Sequence, residues 1–112
     1  MSEVPQIDAD EAAQKISVGA FLLDVREPDE WEAGHAPAAT HIPLGQVQAR
    51  VGEVPADMAV VVVCRMGGRS QKAAEFLRVS GIDASNLSGG MRAWATAGHD
   101  VVTDGGDPGT VI

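Results

Sequence analysis

Val60-Val61-Val62-Val63 runs straight into Cys64, the only cysteine of the chain, and on into Arg65-Met66-Gly67-Gly68-Arg69-Ser70. No other stretch restricts the fold so tightly. Consecutive β-branched residues suit a strand covered on both faces, and such strands belong to parallel sheets. Beyond the turn, Ala73, Phe76, Leu77 and Ser80 recur at i, i+3, i+4 and i+7, the spacing of one helical face. The cysteine therefore lies at the exit of a buried strand and at the mouth of a helix. There the first helical N–H groups lack partners and point at whatever anion is present. Gly67 and Gly68 let successive amides turn inward as a concave nest. Arg65 and Arg69 add positive charge. All these effects favour thiolate over thiol, which predicts a depressed Cys64 pKa.

Two blander readings compete. A lone cysteine behind valines is often just a small buried hydrophobe. The turn could also hold a phosphate through its backbone, with the cysteine a bystander. The arginines and glycines favour the reactive reading, because a structural cysteine gains nothing from a cationic, glycine-rich turn.

The remaining chain alternates strands and helices. A short strand is expected around Val4–Ile7, then a helix from Asp8 to Ser17, with Asp8 and Glu11 at capping-box spacing. Ala20–Val25 is a continuous apolar strand ending beside Asp24. Pro28 suits the first turn of a short helix that Gly34 ends, with Glu27 an acid at its start. A strand follows around Thr40–Ile42, a helix from Leu44 to about Val51, and a polar connection over Gly52–Ala59. The helix after the cysteine turn closes at Gly81. Asp83–Leu87 is a strand, Ser88-Gly89-Gly90 a second flexible turn, and Met91, Trp94 and Ala95 face one side of a last helix. Such alternation predicts an α/β fold with a parallel sheet, helices on both faces and right-handed crossovers. Ligands of such sheets bind beyond the carboxyl ends of the strands. Cys64, Asp24–Arg26 and Ser88–Gly90 all fall at such ends.

Length and charge narrow the function. The chain's 112 residues fit one compact domain, read as 1–103, with a loosely ordered tail at 104–112 rich in Gly and Asp. One cysteine allows no internal disulfide and no resolving thiol. No apolar run is long enough to span a membrane, and Met1-Ser2-Glu3-Val4-Pro5 lacks the basic start of a signal peptide, so a cytoplasmic protein is expected. The net charge of -8 argues against nucleic acid and anionic membrane as partners. Four of the eight basic residues, Arg65, Arg69, Lys72 and Arg78, cluster on and after the loop, which suits a small anion. Lys72 and Arg78 read as solvated helix residues.

Several segments together resemble the rhodanese-like sulfurtransferases. They are Leu22-Leu23-Asp24-Val25-Arg26-Glu27 with Glu30-Trp31, then Gly34-His35-Ala36-Pro37 with His41-Ile42-Pro43-Leu44. Val61–Ser70 and Leu87-Ser88-Gly89-Gly90-Met91 with Trp94 follow in the family's order. The resemblance covers about residues 8 to 101 and implies a five-stranded parallel sheet and a persulfide-forming Cys64. One departure is Ala38, where the family usually has glycine.

The chemistry implied is covalent sulfur transfer. The Cys64 thiolate attacks the outer sulfur of a donor such as thiosulfate or a persulfide-donor protein. A cyanide or thiol acceptor then takes the sulfur from the persulfide. Neither a metal nor another cofactor is called for. Amides from Arg65 to Ser70, with Met66, Gly67, Gly68 and Arg69 between, surround the anionic sulfur as an oxyanion hole surrounds oxygen. Arg65 and Arg69 attract the donor, and Arg69 is also a candidate for fixing the loop. Met66 lines the entrance or fills a gap. Ser70 is expected to cap the helix rather than reach the sulfur. Asp24 and Arg26 are expected to pair and fix loops, and Gly89 and Gly90 to permit close backbone approach. His35 and His41 read as structural or exposed, and Trp31 and Trp94 as core. Two alternatives remain: a protein-to-protein sulfur-relay module with little thiosulfate turnover, and a phosphatase-like hydrolase. The four residues between Cys64 and Arg69 disfavour the latter, since phosphatases and arsenate reductases resembling this fold have five.

Overall fold

The computed structural model describes residues 3–112; the reading of the leader at Met1 and Ser2 lies outside the described residues. The strands are β1 (Gln6–Ile7), β2 (Phe21–Asp24), β3 (Ala39–His41), β4 (Val60–Val63) and β5 (Ala84–Leu87). The helices are α1 (Ala9–Ser17), α2 (Pro28–Ala33), α3 (Leu44–Val47), α4 (Gly68–Val79) and α5 (Gly90–Thr96). All strand pairs are parallel, in the order β1-β5-β4-β2-β3. The valine strand is thus the middle of five.

Alternation along β4 explains why all four valines are buried. Successive side chains point to opposite faces of a sheet. Val60 and Val62 join Leu23, Val25, Ala73, Ala74 and Leu77 beneath α3 and α4. Val61 and Val63 join Leu22, Ala9, Ala12, Met91 and Trp94 beneath α1 and α5. The expected α/β architecture, a five-stranded parallel sheet with helices on both faces, is the one observed.

Several boundaries differ from the sequence reading. The helix expected from Leu44 to Val51 is one turn, Leu44–Val47, followed by a separate 3-10 turn at Val51–Glu53. Gly45 and Gly52 lower helix propensity on both sides of the break. The strand around residues 40–42 starts one residue earlier, at Ala39. Ala38 takes its turn without a left-handed backbone, and Ala39 N–H closes it on the Ala36 carbonyl at 3.1 Å. A glycine is therefore dispensable there.

The tail at 104–112, expected to be loose, has partners in the body, as do Val101 and Val102 before it. His35 and Val102 exchange two 2.8 Å backbone hydrogen bonds, and Thr110 N–H donates to the Ala33 carbonyl at 2.8 Å. Val101 and Val111 pack on the α1/α5 core. Gly34 and Gly109 make this docking possible. A Cβ on Gly34 would stand 2.6 Å from the Thr110 backbone, and one on Gly109 would stand 2.7 Å from Gly34 Cα.

Candidate active site

The carboxyl ends of β2, β4 and β5 bring together the loops at Asp24–Arg26, Cys64–Ser70 and Ser88–Gly90. Cys64 is 1% exposed. Its Sγ accepts from Gly67 N–H at 3.0 Å and lies 3.2 Å from Ser70 Oγ. Gly67 has φ 113, a left-handed conformation open to glycine at little cost, and it forms the cap from which α4 begins. Burial pushes the Cys64 thiol up. The Ser70 hydroxyl and the N–H groups of Ser70, Gly67 and Met66 outweigh it, so the pKa is lowered from its ordinary value. The direction matches the sequence expectation.

The second glycine turn supports this loop from behind. Met91 N–H donates to the Cys64 carbonyl at 2.7 Å and Arg92 N–H to the Arg65 carbonyl at 3.1 Å. The first amides of α5 are thus used on the cysteine loop. Gly90 has φ 61, and a Cβ there would collide with the Cys64 and Arg65 carbonyls. Of the two glycines expected to permit close backbone approach, Gly90 lies against the cysteine loop, whereas a Cβ on Gly89 would meet Ala93 of α5.

The arginines are placed differently from the reading that had them recruit an anion. Arg69 donates from Nη1 and Nη2 to the two Glu30 carboxylate oxygens at 2.7 and 2.9 Å. Its hydrogen bond to Arg69 holds the Glu30 carboxyl well down, at about 2, although burial opposes this. Arg65 Nε donates to the Ile112 carbonyl at 2.8 Å. Arg69 therefore ties α4 to α2, the loop-fixing role, and Arg65 ties the loop to the C-terminal segment.

Asp24 and Arg26 form the expected ion pair, at 2.8 Å and fully buried. Arg26 also donates to the Gly34 carbonyl at 2.8 Å and the Glu30 carbonyl at 3.3 Å. One guanidinium thus fixes the end of β2 to the middle and the C-terminal end of α2. Met66 is 55% exposed at the rim, and Gly68 opens α4 on an exposed turn.

Ser70 corrects one expectation. The helix begins at Gly68 with Gly67 as its cap, so Ser70 lies inside the first turn and does not cap it. Its hydroxyl points instead at Cys64 Sγ and at Asn86 Oδ1, the latter at 2.6 Å. Trp94 is core, whereas Trp31 is half-buried and stacks on His35 at 3.6 Å and on His41 at 4.9 Å between ring centroids. His35 is buried, and His41 bonds the Arg26 carbonyl at 2.7 Å. Among the described residues no three His, Cys, Asp or Glu side chains are grouped to hold a metal ion.

Sequence reasoning missed two residues. Glu30 was one acid among several on α2, with nothing to mark Arg69 as its partner. Asn86 left a fainter signal, as a polar residue on a strand that is otherwise largely buried.

An α/β domain whose middle strand delivers a buried thiol into a glycine nest defines a class of protein. Residues 8–97 match the Rhodanese-like domain, and the chain belongs to that family. A protein of Allochromatium vinosum named sulfurtransferase is 35% identical over 106 residues, which are 92% of this chain and 99% of that one. YrkF of Bacillus subtilis, named as a sulfur carrier, is 36% identical over 96 residues. Those residues are 83% of this chain, which spans about half of YrkF, 52%. The crystal structure of a rhodanese-related protein from Thermoplasma volcanium superposes with a TM-score of 0.84 at 30% identity, covering 89% of this chain and 99% of that one.

Proposed function

We propose that this protein moves a sulfane sulfur from thiosulfate or a persulfide donor to a thiophilic acceptor, with Cys64 as the carrier. The thiolate attacks the outer sulfur of the donor. The donor's S–S bond breaks, its electron pair leaves with sulfite or a thiolate, and Cys64 holds a persulfide. Cyanide or a thiol attacks the terminal sulfur, and Cys64 leaves as thiolate. One observation carries the reading: a buried sulfur that faces the Gly67 N–H at 3.0 Å and the Ser70 hydroxyl at 3.2 Å. Such donors stabilise a negatively charged sulfur as they would an oxyanion. With one cysteine in the chain, the persulfide has no internal thiol to collapse upon. The free thiol suits a reducing compartment, and the cytoplasm is the proposed location.

The test is intact mass after exposure to thiosulfate, together with thiocyanate formation from thiosulfate and cyanide. Wild type is expected to gain one sulfur atom and to turn over. Cys64→Ser is expected to do neither, and unchanged turnover in that variant rejects the mechanism. A second reading is a relay between proteins, supported by the sulfur-carrier name of YrkF. Sulfur captured from a cysteine desulfurase, with negligible thiosulfate turnover, would select it.

A further inference from the structure

The Ser70 hydroxyl has one hydrogen and two neighbours competing for it, Cys64 Sγ at 3.2 Å and Asn86 Oδ1 at 2.6 Å. The distances favour Asn86, and the surrounding network says why. Asn86 Nδ2 donates to the Gly67 carbonyl at 3.2 Å and to Gln6 Oε1 at 2.9 Å. Gln6 Nε2 in turn donates to the Val4 carbonyl at 3.2 Å. A backbone carbonyl only accepts, so these two anchors fix the orientation of both amides. Asn86 Oδ1 must then face Ser70 as an acceptor. Ser70 and Asn86 are both buried.

We propose that Asn86 is a positioning residue that sets the reactivity of Cys64 through Ser70, by competing with the sulfur for the single hydroxyl hydrogen. In the thiol form, Cys64 S–H donates to Ser70 Oγ, and Ser70 donates to Asn86. On ionisation the S–H proton goes to water and its electron pair stays on sulfur. The Ser70 hydroxyl then swings from Asn86 to the thiolate. The same swing supplies a donor to the persulfide. Asn86 therefore stabilises the resting thiol, and Ser70 the anion.

The functional meaning rests on Cys64 as sulfur carrier, but the hydrogen-bond competition is read without any sulfur transfer. The midpoint of iodoacetamide alkylation against pH reports the only thiol in the chain. Asn86→Leu removes the acceptor and is expected to lower the midpoint by about one pH unit. Ser70→Ala is expected to raise it. In the Ser70→Ala background most of the Asn86→Leu shift is expected to vanish, since no hydroxyl is left to compete for. The charged groups nearby, Arg65, the Arg69–Glu30 pair and the Asp24–Arg26 pair, are unchanged in every variant. Asn86→Ala lacks the acceptor without added bulk and gives the same cycle if Asn86→Leu does not fold. A midpoint that rises or stays fixed on loss of Asn86, or a shift equal in both backgrounds, overturns the proposal. Failure of sulfur capture with the cycle intact would instead reject the transferase reading.

Discussion

Asp24 shows how much a single side chain can hold in place. Among the described residues it is the carboxylate ion-paired to the fully buried Arg26 guanidinium, which in turn holds the Gly34 and Glu30 carbonyls. Removing one partner of such a pair leaves an uncompensated buried charge. Asp24→Ala is expected to cost about 3–5 kcal/mol in chemical denaturation. Glu30 makes a pH prediction. Its folded pKa is about 2 against an ordinary 4.5, so its contribution to stability is full above 4.5 and is lost as pH falls toward 2. Glu30→Gln should flatten the acid limb of the stability profile across that window, and an unchanged limb would show that other carboxylates dominate it. The Cys64 shift has the same sign, so its thiolate should form at a lower pH than that of an ordinary thiol.

At the scale of elements, the cysteine loop is held from two directions. α4 and its cap supply Ser70 and Gly67 to the sulfur, and α5 supplies two amides to the carbonyls behind it. Gly90 is where the second support has no room for a side chain. Gly90→Ala is expected to destabilise the protein by about 1–3 kcal/mol, combining an unfavourable φ with a collision against backbone. It should also raise the Cys64 alkylation midpoint, because the loop must shift away from α5. A destabilised variant with an unmoved midpoint would show that α4 alone shapes the nest.

Across the whole molecule, the segment from Val101 to Ile112 links the end of α2 to the cysteine loop. It crosses α2 at Gly34 and Gly109 and ends against Arg65. Gly109→Val is expected to detach it. Hydrogen exchange should then accelerate at Thr110 and His35, whose amides bond across this seam, and leave Val61–Val63 protected. Uniform acceleration would mean the segment is part of the cooperative core.

Much of this was legible in the chain itself. Val60–Val63, the apolar run ending at Asp24 and the intervening helices announced the layered parallel sheet, because burial on both faces leaves a continuous apolar signature. The turn at the cysteine was legible because it is local, with Cys64 and Gly67 within four consecutive residues, but the Ser70 hydroxyl facing the sulfur was not. Pairings between distant segments were not. Arg69 and Glu30 are 39 residues apart, Arg65 and Ile112 are 47 apart, and Asn86 reaches Ser70 across 16. Periodicity and turn chemistry act over a few residues, so they specify strands, helices and the shape of one loop. Which charge neutralises which, and which acceptor competes for a serine hydrogen, depends on distances that exist only after the sheet has brought remote strand ends together.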